Sequence, residues 1–315
     1  MKSNLDHLPA VQQDELERIT GILLRGFETA IAGGTQPWRR GAKIYKIILF
    51  GSYARGDFVD EPENGYLSDF DLLVVVSDEK LTDIADYWWE TEQKILHDPA
   101  IGRIVNLIVH DLDGVNQALT KGQYFFSEIV RDGVALYEAP GHPLAKPTIL
   151  TPSEVAQAAS RYFDQTFPDI DRKLKIAKIE RDQDTDNAGW RRDSAFSLHQ
   201  AVEKAYITYL LVRTLYFPRS HNIKFLRSLA EDLDKGLAQA WPREQRNDRR
   251  RFEQLKRAYV EARYSEQYDI AVEDLDWLAT HATTLRDFVR ETCEAHLVHL
   301  RRRADDLPSP SSDRF

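Results

Sequence analysis

A chain of 315 residues with 42% hydrophobic side chains is long enough for two domains and apolar enough for sizeable cores. Its formal net charge of −9 argues against a wholly basic nucleic-acid binder and leaves only local basic patches open. One cysteine, Cys293, excludes a disulfide framework or a cysteine-based zinc site within the chain, and it reads as an inert thiol on a helix.

The N-terminal stretch MKSNLDHLPAVQQDELERIT has no apolar core of the kind a secretory signal needs. No run approaches the roughly 20 apolar residues that span a bilayer, so a cytoplasmic protein without a membrane partner is expected. Leu16, Ile19, Leu23 and Phe27 recur at spacings that predict a helix with one buried face, ended by Ala32–Gly34. Lys43–Phe50 turns into a continuous apolar run, as a strand covered on both faces would, and Asp71–Val76 reads the same way. A helical pattern follows between Leu81 and Leu96, then a third strand over Arg103–His110. Phe125–Ala139 reads as a helix, then Gly133, then a short strand.

Pro140, Pro143, Pro147 and Pro152 mark a linker. Beyond it the period changes, and no strand signal is found from Ser153 to His299. Ser153 is the expected N-cap of the next helix. Residues 194–215 predict a long helix with Phe196, Val202, Tyr206 and Tyr209 near one face, and residues 248–264 and 274–300 predict two more. The tail 306–315 has a disordered composition. The expected architecture is an α/β domain over 1–139, a Pro-rich linker over 140–152, an all-α helical bundle over 153–303 and a disordered tail over 304–315.

The chemistry concentrates between the first two strands. Side chains at i and i+2 of a strand share a side, so Asp69 and Asp71 aim at one spot, with Cβ atoms about 6.5–7 Å apart. Two carboxylates that close repel, and a divalent cation between them removes the repulsion. Hard oxygen ligands of this kind suit Mg²⁺, which takes one or two carboxylates together with substrate phosphates. Gly51 and Ser52 close the first strand; glycine lets backbone approach a ligand, and a hydroxyl with free N–H groups at such a turn forms a phosphate site. Either feature alone is more often a simple turn. Together, in this order, they are the layout that phosphoryl or nucleotidyl transfer needs.

These residues carry a resemblance. The pattern Gly51-Ser52, a spacer, then Asp69-x-Asp71 resembles the nucleotidyltransferase superfamily of the polymerase-beta type, in its minimal bacterial branch. The likeness runs from Lys43 to Tyr137, where GQYFFSEIVRDGVALYEA also looks like the end of such domains. It implies a mixed sheet, Mg²⁺ (or Mn²⁺) on Asp69 and Asp71, and the triphosphate of a nucleoside triphosphate on Gly51 and Ser52. Arg55 would help to neutralise the phosphates. The second half resembles HEPN domains (higher eukaryotes and prokaryotes nucleotide-binding) in AFSLHQAVEKAYITYLL, SHNIKFLRSLA and ARYSEQY, and the two families occur together.

Two departures stand out. The spacer, positions 53–68, is longer than in compact members, and FVDEPENGY reads as an insertion, a lid or partner loop at one extreme and a tolerated surface loop at the other. The family's third carboxylate, by strand order, falls on Asn106, a neutral amide that cannot act as a base. His110 shares its face but lies roughly 13 Å further along the strand, and Asp111 and Asp113 lie beyond it.

Active HEPN ribonucleases carry an arginine and a histidine separated by four to six residues. Arg192 with His199 and Arg290 with His296 match that spacing, but neither falls where the family motif belongs, and that region has Arg263 without a histidine in range. His199 reads as a bundle or dimer-interface residue. The basic stretch around Arg243, Arg246, Arg249, Arg250, Arg251, Lys256 and Arg257 is an RNA-contact candidate, though more often such a run is a solvated helix start. Trp88 and Trp89 read as core and edge packing. The expected function is transfer of a nucleoside monophosphate from an NTP to an acceptor, either a small molecule, a protein or RNA, with a possible homodimer through the helices. The alternatives are a catalytically weak nucleotide-binding regulatory or toxin–antitoxin-like module, and an HEPN ribonuclease.

Overall fold

The apolar run that stops at Gly51 folds as an inner strand, and the rest of the first unit is arranged around it. The computed structural model describes residues 1–61, 66–183, 187–265 and 267–306. Residues 62–65 of the predicted insertion and the tail beyond 306 lie outside the described residues. The chain divides into two units, Met1–Ile149 and Leu150–Phe315.

In the first unit, α1 (Ala10–Ile31) buries Leu16, Ile19, Leu23 and Phe27, the stripe expected from their spacing. The short α2 (Pro37–Arg40) leads to β1 (Ile44–Phe50), which turns at once into α3 (Gly51–Arg55). A two-stranded ribbon, β2 (Asp60–Glu61) with β3 (Tyr66–Leu67), precedes β4 (Phe70–Val76). All seven residues of β4 are buried, as a continuous apolar run requires. Then come α4 (Ile84–Tyr87), α5 (Trp89–Leu96), β5 (Val105–Asp111), α6 (Leu112–Thr120), α7 (Tyr124–Asp132) and β6 (Val134–Glu138). The sheet order is β5-β4-β1-β6; β1 runs antiparallel to β4 and β6, and β4 runs parallel to β5. This is the mixed sheet the resemblance implied.

Local chemistry corrects two expectations here. The helical pattern from Leu81 to Leu96 is interrupted. Asp83 caps α4 by accepting from the Asp86 N–H, and Trp88 turns inward, donating its indole N–H to the Leu81 carbonyl and stacking on Phe27. Trp89 stays 56% exposed. The second correction is α6, which the periodicity did not announce; Asp111 is its N-cap and accepts from the Gly114 N–H.

The described residues of the second unit form helices and connecting loops with no strand: α8 (Pro152–Arg181), α9 (Ala188–Thr214), α10 (Ile223–Leu233), α11 (Arg246–Tyr264) and α12 (Val272–Asp305). The cap of α8 is Thr151, not Ser153. Thr151 and Glu154 form a reciprocal capping box, and Pro152 takes the first helical position, where its missing N–H costs nothing. α9 is the axis of the bundle and packs against α8, α10, α11 and α12. It is therefore buried on most sides, including Val202, Tyr206 and Tyr209, while Phe196 is half-buried. Cys293 is fully buried, and desolvation pushes its thiol up to about 12, which leaves it unreactive. No described helix is long and apolar enough to cross a membrane.

Candidate active site

Gly51 sits at the junction of β1 and α3 with φ +73°, a left-handed conformation that suits glycine. It is fixed by contact as well as by torsion. A Cβ at this position would lie 2.5 Å from Asp71 Oδ2, far inside van der Waals distance. The sheet register explains the closeness, because Phe50 on β1 is the partner of Asp71 on β4. Ser52 is buried, and its carbonyl accepts the N–H groups of Gly56 and Asp57 at 2.8 and 3.1 Å, which closes the turn.

The parallel pairing of β4 with β5 sets Asp71 opposite Asn106. The Asn106 amide donates from Nδ2 to Asp71 Oδ1 at 3.0 Å and to Asp69 Oδ2 at 3.4 Å. The two carboxylates thus face one point, next to the glycine turn. Asp71 is only 2% exposed and Asp69 half-buried. Asp69 lies one residue ahead of the strand rather than within it; the Phe70 N–H bonded to the Ile104 carbonyl starts the ladder. The extended backbone still presents both side chains to Asn106. The two converging carboxylates form a hard-oxygen pair that could hold a small divalent cation in place of the amide N–H bonds.

A family model described as a nucleotidyltransferase domain matches residues 37–124, and one described as an HEPN domain matches residues 176–292. Over 95 residues the chain is 34% identical to a protein of Methanocaldococcus jannaschii described as a "putative protein adenylyltransferase", a match covering 30% of this chain and 80% of that protein. The chain belongs to the nucleotidyltransferase family. Its nucleotidyltransferase domain is joined to a C-terminal HEPN domain.

Within the nucleotidyltransferase domain, Arg55 ends α3, is exposed, and pairs with Asp57 at 3.2 Å. His110 lies opposite Val75, four positions along the strand from Asn106, and meets Phe126 edge-on. Asp111 serves as the cap of α6. One network was not legible in the sequence. Arg103 donates to the Tyr53 hydroxyl at 2.7 Å, to Glu15 at 2.8 Å and to Asp60 at 2.6 Å, tying α1, α3 and β2 to the chain leading into β5. Tyr53 is fully buried under the glycine turn, and that burial holds its hydroxyl above the usual phenol range. The partners lie dozens of residues apart and carry no shared motif.

In the HEPN domain the two arginine–histidine spacings do different work. Arg192 donates to the Tyr268 carbonyl, while His199 is wholly buried and donates from Nδ1 to the Leu255 carbonyl at 3.0 Å. Arg290 lies over the Phe167 ring and near Asp171 at 3.6 Å. His296 is pushed down to about 4, first by burial and then by Arg213, so it is neutral at pH 7. The basic stretch is largely matched by acidic neighbours: Arg243 pairs with Glu231, Arg250 and Arg251 with Asp274, Lys256 with Glu253, and Arg257 with Glu261.

Proposed function

We propose that this nucleotidyltransferase moves a nucleoside monophosphate from an NTP to a hydroxyl group, and that the acceptor is a protein. The observation that carries the reading is the convergence of Asp69 and Asp71 on the Asn106 amide, directly beside the turn at Gly51. The protein acceptor rests on the adenylyltransferase likeness. In this reading the N–H groups and hydroxyl of the Gly51–Ser52 turn hold the β- and γ-phosphates, and Arg55 adds a positive charge. Asp69 and Asp71 would hold Mg²⁺ or Mn²⁺, which when bound neutralises phosphate charge. The acceptor oxygen forms its bond to the α-phosphorus as the bond to pyrophosphate breaks, and the hydroxyl proton passes to water or to the departing pyrophosphate.

Asn106 supports a second reading. A neutral amide offers no base for the acceptor's proton, so the site would bind nucleotide and transfer slowly or not at all. Label transfer separates the two. Purified protein is incubated with each α-labelled NTP, Mg²⁺ or Mn²⁺ and cell extract, beside an Asp69→Ala/Asp71→Ala control. Protease-sensitive label absent from the control is the expected result. Label on RNA or a small molecule would overturn the protein acceptor, and bound nucleotide without label would favour the sensor.

A further inference from the structure

We propose that the N-terminal segment, Lys2 to Leu8, is a working part of the nucleotide site, with Lys2 and His7 as positioning residues for the Gly51–Arg55 turn. The inference rests on the reading that this turn takes the β- and γ-phosphates.

A five-residue helix is a single turn. Alone it is unstable, because nucleation fixes several residues for one or two hydrogen bonds. The chain cannot extend it, since Gly56 reverses the backbone at φ +92°. The carbonyls at its end therefore need partners from elsewhere. Ser52 is served by Gly56 and Asp57. The next two are served by the N-terminal segment: His7 donates from Nε2 to the Tyr53 carbonyl at 2.8 Å, and Lys2 donates from Nζ to the Ala54 carbonyl at 2.8 Å. Lys2 also sets its positive charge where a helix end favours one.

The segment that carries these donors is anchored on both sides of α3. Lys2 pairs with Val134 as a parallel bridge, its N–H bonded to the Gly133 carbonyl at 2.8 Å and its carbonyl taking the Ala135 N–H at 3.0 Å. At the other end Leu8 is buried in the core, just before α1. α3 is thus held from two directions, by Arg103 on the Tyr53 side chain and by Lys2 and His7 on the backbone. The tolerance is small, because Gly51 already packs against Asp71 with no room for a methyl group. A turn that drifts by a few tenths of an ångström changes where its N–H groups stand relative to Asp69 and Asp71. Neither Lys2 nor His7 touches the reacting atoms in this account; each acts through the turn.

The test compares triphosphate with monophosphate binding in the full chain. Affinities for ATP, GTP, CTP and UTP, and for the matching monophosphates, are measured with Mg²⁺ for wild type, Lys2→Ala, Lys2→Arg, His7→Ala and His7→Gln. Lys2→Ala and His7→Ala are each expected to weaken the best triphosphate about fivefold, the size of one lost hydrogen bond. Monophosphate binding is expected to stay within about twofold on the same scale, and Lys2→Arg and His7→Gln to recover most of the loss. A lowered melting temperature with unchanged triphosphate affinity would make the segment merely structural and overturn the inference. So would an equal loss for triphosphate and monophosphate. If the wild type itself shows no preference for triphosphate, the reading of the turn as a phosphate cradle falls, and that result is separable from either of the others.

Discussion

An amide placed between two carboxylates supplies, through its N–H bonds, part of what a cation would supply there. Asn106 does this for Asp69 and Asp71, so the site is compatible with its own burial before any ligand arrives. Replacing it with a carboxylate removes that support and adds like charge at the same point. Asn106→Asp is therefore expected to destabilise the metal-free protein by about 1–3 kcal/mol. It is also expected to make the protein more responsive to Mg²⁺, which thermal melts with and without the cation would read. A variant that melts like wild type in chelator would mean that the three side chains do not share one point. The residue-level site was partly legible in the sequence. Alternation placed Asp69 with Asp71 from the two-residue period, while Asn106 came from the family resemblance together with strand order. The contact of Gly51 with Asp71 was not legible, since it depends on the register of β1 against β4. Nor was the support that Tyr53 receives from Arg103.

At the scale of elements, periodicity found what long apolar runs and stripes determine, namely β1, β4, β5, the α7–β6 unit and the long helices. It missed what capping side chains determine. Asp83 splits the Leu81–Leu96 pattern, Asp111 starts α6, and Thr151 rather than Ser153 starts α8. Each is a short polar residue whose role depends on which N–H it can reach. The split helix also carries a pH dependence. Glu92 on α5 is pushed up to about 7 by burial alone. In the unfolded chain it ionises near its ordinary value of 4.5. Between those values the folded state holds a proton that the unfolded state has lost. The contribution is fully present below about pH 4.5 and is lost as pH rises through about 7. Glu92→Gln cannot ionise and should flatten that decline. Urea midpoints at pH 5 and pH 8 check this: the advantage of the variant over wild type should be larger at pH 8, and a constant difference would show that Glu92 is solvated.

For the whole molecule, the Pro-rich stretch that composition marks as a linker is not uniformly free chain. Its first part is held by the first unit. His142 stacks on Tyr45 with ring centroids 3.6 Å apart, the Ala145 N–H reaches the Asn116 side chain at 2.7 Å, and the Thr148 N–H bonds to the Leu119 carbonyl at 2.9 Å. Prolines suit such a path, because they fix the backbone without asking for hydrogen-bond partners. The second unit starts abruptly with the Thr151 capping box. Between these anchors Ile149 stands 94% exposed, and the two units divide immediately after it. A protease needs several residues of backbone released from such anchors, and the weakest point is where one set ends and the next begins. Limited proteolysis with a broad-specificity protease is expected to cut first near Ile149–Leu150 and leave two fragments that resist further digestion, read by intact mass. Each fragment should resist because each unit has its own buried core, in the first around the sheet and in the second around α9. Early cuts within α8 or α9 would show instead that the helical bundle opens before the junction does, and that its stability depends on more than its own packing.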